Sequence, residues 1–349
     1  MNATLEVVRA GLLSTIQDKG RFGLRHLGIP WAGALCPAWH IVANALVGNA
    51  AEAPVIECFE GGLQLQACCQ SIRLAIVGCE SAILKTGNDA AWKRYPPNRT
   101  LTLAAGESVH LSSTGSSRHI VIAVSGINIR THLGSSSTYA KASLGGLYGE
   151  SLTSGDQIPI SQADSAAKAK RADLQCHLPT ELRYLSTQLR AIAGPQFDHF
   201  SSAGVNAFLE SNYEISSEAD RMGVRLNGPV IEHRDSKSKD IVSDAIVPGS
   251  IQIPGTGKPI VMLNDAHTAG GYPKIATVIS SDLPLLGIQR AGSPCQFKLI
   301  DINEAIAIKG QIHTLIDQCI GTFTPCIVNE LDTQTLLSFN LIDGVTDGA

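Results

Sequence analysis

The sequence predicts a mainly β protein assembled as two homologous β domains. Three observations carry that expectation. Across 349 residues, 33 glycines and 16 prolines break the chain into short Val/Ile/Leu-rich runs, the punctuation of strands and turns. Helical periodicity is scarce. Most informative, "DKGRFGLRHLG" (18–28) and "DRMGVRLNG" (220–228) align as Arg21/Arg221, Gly23/Gly223, Arg25/Arg225 and Gly28/Gly228, and an aspartate (Asp18, Asp220) precedes each arginine. Similar openers, "VRAG" (8–11) and "RAIAG" (190–194), stand upstream, and "AGESVHL" (105–111) is echoed by "AGSPCQFKL" (291–299).

In chain order, "LAIVG" (74–78), "LTLAAGESVHL" (101–111), "HIVIAVSG" (119–126) and "IVML" (260–263) have strand length and β-branched composition. "PAWHIVANALVGN" (37–49) reads as a helix. Pro37 suits a first turn, Ile41, Ala45 and Leu46 share a face, and Gly-Asn stops it. "IPGTGKPI" (253–260) lacks the phosphate-loop spacing and reads as a hairpin turn. "QTLLSFNLI" (334–342) reads as a last short helix or strand. The Ala/Lys/Asp-rich join suggests domains over 1–162 and 183–349, with a linker over 163–182.

Composition excludes several function classes. The hydrophobic content of 44% with 17% charged residues is globular, and a net charge of −4 gives no basic footprint for nucleic acid. The amino terminus has no secretory pattern, and no apolar run reaches the length of a bilayer span. Nine cysteines with no C-x-x-C pair imply reduced thiols in a cytoplasmic setting, and the ten histidines show no metal-ligand spacing. Ser125 lies in no G-x-S-x-G elbow, and no dinucleotide fingerprint occurs.

"NDAHTAGGYPKIATV" (264–278) concentrates the chemistry. Gly270, Gly271 and Pro273 suit a loop with positive φ and extended geometry. A turn alone does not require Asp265, His267, Thr268, Tyr272 and Lys274. Lysine offers a compact cation for an anionic oxygen or, desolvated, a base. "TIQDKGRFG" (15–23) is similarly dense. Gln17, Asp18 and Arg21 read equally as a carboxylate clamp or as a charged hairpin. A recurring turn explains the repeated glycines, but not the repeated guanidinium groups. The Gly/Ser stretch 132–156 reads as a surface loop, with a phosphate cradle or a mobile cover as alternatives.

With "ANALVGN", "LGSSSTY", "VPGSIQIPGTGKPIVML" and "TAGGYPKIATVISSDLPLL", these motifs resemble the family that contains allophanate hydrolase subunit 2, the carboxyltransferase half of urea carboxylase, the Kip antagonist and the C-type subunit of prokaryotic 5-oxoprolinase. The resemblance spans residues 5 to 305 and is most specific at "DRMGVRL" and "GGYPKIATV". It implies a tandem of cyclophilin-like β barrels and a hydrolase subunit that opens 5-oxo-L-proline to glutamate with ATP. It also implies a subunit-1-type (Kip-inhibitor-like) partner, a LamB/YcsF-type partner and a small cyclic amide as substrate. By resemblance Lys274, Asp265 and Tyr272 are catalytic. Gln17, Asp18, Arg21, Asp220, Arg221, His267, Thr268, Gly270 and Gly271 would bind substrate. ATP enters only through the resemblance, since no nucleotide motif is present. Biotin enters only under an alternative role as a urea carboxylase carboxyltransferase; a non-catalytic antagonist of a Kip-inhibitor-like protein is the other alternative. The chain departs from the family pattern at Cys36, Ser136 and Glu150, which bears on substrate rather than fold.

Overall fold

Strands Val55–Phe59, Ile72–Val77 and His119–Val124 are buried at every position. Strand alternation divides their side chains between two cores. Ile56, Cys58, Leu74, Ile76, Ile120 and Ile122 face one core; Val55, Phe59, Ala75, Val77, Val121 and Ala123 face the other. A strand covered on both faces needs the continuous apolar run that these segments show.

The computed structural model describes residues 3–79, 83–87, 92–161 and 171–326. Its first body is two sheets packed face to face. One runs Gln157–Ile160, Ala3–Ala10, Leu63–Cys68, Ser108–Ser113, Ile83–Gly87 and Lys93–Tyr95. The other runs Leu13–Gln17, Val55–Phe59, His119–Val124, Ile72–Val77, Arg99–Leu103, Leu174–Gln175 and Thr324–Pro325. Helix Pro37–Val47 lies on the outer face of this second sheet, starting at its proline and capped by Gly48 in the left-handed region, as the sequence expects.

The second body closes into a seven-stranded barrel: Gln188–Ala193, Lys274–Val278, Ser250–Gln252, Ile260–Met262, Gly223–Asn227, Tyr213–Ala219 and Pro294–Leu299. The ends meet through a parallel pairing of Gln188–Ala193 with Pro294–Leu299. The expected hairpin at 253–260 joins two paired strands. The fold is thus mainly β, in the tandem cyclophilin-like arrangement.

Part of the expected linker, 163–170, lies outside the described residues, as does 334–342. Its described part is tied in: Leu174–Gln175 extends the first body's sheet, and the carbonyl of Leu182 accepts the Trp39 indole N–H at 2.8 Å. Helix Ile302–Gly321 is capped by Asp301 and sends Ile316 and Cys319 into the core shared with helix Pro37–Val47.

The two repeat copies share a local device and differ in their glycines. Asp18 accepts from the N–H of Gly20 and Asp220 from that of Met222, each two residues on. Gly23 and Gly28 adopt positive φ. Gly223 and Gly228 do not. They lie where strands pack tightly, with the Gly228 Cβ position 2.5 Å from the Tyr213 ring. The expectation of one recurring glycine turn is therefore corrected.

Candidate functional site

Along the barrel strands Val224, Leu226, Ile251 and Val261 point inward. Their alternates face out. Arg225 stands opposite Ile260, Ile260 opposite Gln252, and Gln252 opposite Lys274, so the four side chains form one row across the outer face. A register shift between Ile251 and Gln252 turns Lys274 onto that face although Ala276 points into the core.

Outward side chains of a barrel are normally wet, yet Gln252 and Lys274 are buried. The stretch 264–274 explains this. It returns as a two-stranded ribbon, Ala269–Gly270 paired with Asp244–Ala245, and lies over the row. Ile246, Met262 and Ala266 form a small apolar cluster with Ile260 beneath it. Gly270 is needed for contact: a Cβ there would lie 2.5 Å from Ile246 Cδ1 and 2.7 Å from Gln252 Nε2. Neither Gly270 nor Gly271 adopts positive φ, which corrects the turn-based expectation for both.

Two contacts fasten the ribbon. Lys274 Nζ donates to Asp244 Oδ2 at 2.6 Å and to the carbonyl of Ala245 at 3.1 Å. The bond from Lys274 holds the Asp244 carboxyl below its usual range. From the first body, Arg25 Nη2 donates to the carbonyls of Ile246 and His267. The Thr268 carbonyl accepts from the Ile246 N–H at 3.0 Å.

Beside the ribbon lies a buried ionic centre. Arg221 grips Asp265 with two bonds (3.0 and 3.2 Å), donates to the Gly33 carbonyl at 2.7 Å, and donates through Nη1 to Glu57. Glu57 is fully buried and also accepts from the Leu35 N–H at 2.7 Å. Burial raises the pKa of both carboxyls, against the pull of the one guanidinium they share. His119, 3.9 Å from Glu57, is pushed down to about 3 by burial and stays neutral.

The first repeat copy builds a second centre. Asp18 accepts from the hydroxyls of Ser135 and Ser137 and from the N–H groups of Ser136 and Gly20. Burial alone would raise its pKa; these four donors outweigh it and the pKa falls. Arg21 donates to the carbonyls of His132, Ser135 and Ser137, and Gln17 bridges the Gly33 N–H and the Thr138 carbonyl. Residues 135–138 are therefore buried, which corrects the surface-loop reading of that segment. Its cradle is filled by the chain's own Asp18 carboxylate, so it does not fit a nucleotide phosphate.

The expected site residues thus fall into groups. Asp265 and Arg221 are paired with each other; Lys274 is held by Asp244. Asp18, Arg21 and Gln17 brace the loop 132–138. Asp220 and His267 line one cleft of about 530 Å³, together with Lys141 and Arg225. Tyr272 is exposed at the ribbon's end. Sequence reading missed Glu57, Asp244 and the ribbon-fastening role of Arg25. Arg25 had a signal in the repeat; Glu57, 164 positions from its partner, had none.

A family model described as carboxyltransferase domain, subdomain A and B, matches residues 27–299. The chain is 35% identical over 317 residues to the 5-oxoprolinase C subunit of Escherichia coli, covering 90% of this chain and 97% of that one. Its identity to the 5-oxoprolinase C subunit of Haemophilus influenzae is 31% over 307 residues, covering 87% and 94%. The crystal structure of K. lactis urea amidolyase superposes with a TM-score of 0.80 at 22% identity; the match covers 90% of this chain and 20% of that chain.

Proposed function

Because the chain belongs to the carboxyltransferase domain A and B family, we propose that it serves as the C-type subunit of an ATP-dependent 5-oxoprolinase. It would act with a subunit-1-type, Kip-inhibitor-like protein and a LamB/YcsF-type protein to open 5-oxo-L-proline to L-glutamate. The observation that carries this is the reciprocal match to the E. coli 5-oxoprolinase C subunit, which spans 90% of this chain and 97% of the relative.

The ribbon-covered row and its cleft suit such a substrate. Opening a lactam breaks the ring C–N bond, adds hydroxide to the carbonyl carbon and returns a proton to nitrogen. Charge develops on the carbonyl oxygen, where a fixed cation or N–H donor lowers the barrier. Lys274 has three donors and spends two of them on Asp244 and Ala245. In this proposal the third is reserved for the substrate carbonyl, while Tyr272 and Asp265 orient the substrate. His267, Thr268, Gly270 and Gly271 form the covering wall. ATP belongs to the assembly in this reading, and its site is sought on the partners.

A carboxyltransferase role toward urea is the second reading, favoured by the carboxyltransferase description of the matching family model. One experiment separates the two. The three proteins are mixed with 5-oxoproline and ATP, and in parallel with urea and carboxybiotin. Glutamate release dependent on this chain supports the proposal. Carboxylation of urea with no glutamate would replace it. Stable binding to the Kip-inhibitor-like protein with neither product would leave a non-catalytic binding role.

A further inference from the structure

Lys274 and Gln252 are the two polar groups of the outer row that the ribbon covers. The Lys274 side chain is 4% exposed, and Gln252 is 5% exposed. Gln252 Nε2 has no hydrogen-bond partner among the described residues, and the Gly270 backbone lies over it: a Cβ there would stand 2.7 Å from that nitrogen. An amide donor shut away without an acceptor is a cost that buried groups seldom carry. Only the covered arrangement carries it. Once the ribbon lifts, water or a ligand meets the amide, so the orphan narrows the gap between the covered and uncovered forms.

The cover is lightly held. Among the described residues, the side-chain hydrogen bonds that tie 244–246 and 266–271 to the rest of the molecule come from Lys274, Gln196 and Arg25. Ile246 and Ala266 pack with Met262 and Ile260 in a cluster of their own, separate from the core that fills the barrel. Segments with few apolar contacts open well below the free energy of global unfolding. The two bases are firm: the Asp265 N–H donates to the Arg221 carbonyl at 3.0 Å, and the Pro273 carbonyl accepts from the Ile253 N–H at 3.0 Å. The Asp244 side chain, in contrast, is 49% exposed, so water replaces the ammonium on it as the ribbon lifts.

We propose that the ribbon is a strap latched by Asp244 on Lys274, shut in this structure, and that lifting it joins the neighbouring cleft of about 530 Å³ to the covered row. Gln252, Ile260 and the ribbon's own His267 line that cleft, so the cleft ends where the cover begins. With the strap raised, the cleft runs on to the Lys274 ammonium. With it down, Asp244 returns to Lys274 and water is shut out. Asp244 is then a positioning residue for Lys274. The strap itself stands on packing alone; its use, to admit a lactam to Lys274, rests on the 5-oxoprolinase reading.

The test follows alkylation by N-ethylmaleimide, peptide by peptide, in the full chain carrying Gln252→Cys. Two native thiols calibrate it: Cys69 is exposed, while Cys295 is buried in a barrel strand and reports global opening. The introduced thiol should react more slowly than Cys69 and faster than Cys295, each by on the order of tenfold or more. Adding Asp244→Ala should speed it by on the order of tenfold, the effect of losing a hydrogen bond to a charged group, and leave Cys295 unchanged. A rate equal to that of Cys69 means no cover, a rate locked to that of Cys295 means no strap, and indifference to Asp244→Ala means no latch; each overturns the proposal. Should Gln252→Cys not fold, reductive methylation of the unsubstituted chain decides: Lys274 modified more slowly than the exposed Lys19 supports the strap, and Lys274 left untouched in the folded chain overturns it. Turnover is judged separately, with the wild-type chain in the three-protein assembly. Local opening without any glutamate release would keep the strap and remove the 5-oxoprolinase reading. Glutamate release by a chain whose ribbon stays shut would keep that reading and remove the strap.

Discussion

Arg221 collects acceptors from three parts of the chain: Glu57 in a first-body strand, Gly33 before the helix, and Asp265 beside the ribbon. Removing one member of a buried ionic group strands the others without solvent, so Arg221→Ala should cost about 3–5 kcal/mol in urea unfolding. Arg225→Ala, four residues on, breaks only the exposed pair with Glu218 and should leave the unfolding midpoint nearly unchanged. Asp18 gives a pH signature. Its folded pKa lies below the usual 3.8, so its stabilisation is fully present above 3.8 and is lost as pH falls through the folded value. Asp18→Asn puts an amide N–H₂ against the donors of Ser135, Ser136 and Ser137. It should unfold more easily than wild type at pH 7, by roughly 1–3 kcal/mol, and the gap should close in unfolding curves taken below pH 3.8.

The ribbon is the element on which the candidate site depends. Gly270→Ala places a methyl against Ile246 and Gln252, and overpacking of this kind costs about 1–3 kcal/mol. Arg25→Ala removes the donors to Ile246 and His267 from the first body. Both variants should lower glutamate release in the assembly, and amide exchange should rise at Ile246, which donates across the ribbon, before it rises in the barrel strands. This element was half legible in the sequence. The polar density of 264–274 marked it, and the hairpin and the Pro37 helix were readable from Pro/Gly signals. The ribbon's strands of two residues each carry no periodicity to read. Burial of Gln252 and Lys274 was invisible for the same reason: strand alternation places both on the outer face, and only the returning segment covers them.

At the scale of the molecule, the two bodies are joined by polar contacts that cross between them. Besides Arg221–Glu57, Asn264 donates to the carbonyls of Gly33 and Ala34, Arg118 donates to the carbonyl of Ala219, and Arg290 pairs with Glu60. One apolar core runs through helix Pro37–Val47 and the barrel. The duplication was readable because its motif recurs with the arginines 200 positions apart. That the second copy's arginine would be neutralised by a carboxylate of the first body was not, because nothing in local sequence encodes a partner so distant. No helix among the described residues is long and apolar enough to cross a membrane. If this chain is an obligatory member of a 5-oxoproline-opening assembly, product formation must depend on its amount. The most direct measurement is glutamate release from 5-oxoproline and ATP as this chain is titrated into fixed amounts of its two proposed partners. Release that rises from background and saturates at a fixed ratio is the predicted result; release absent at every ratio, while the complex forms, would contradict it.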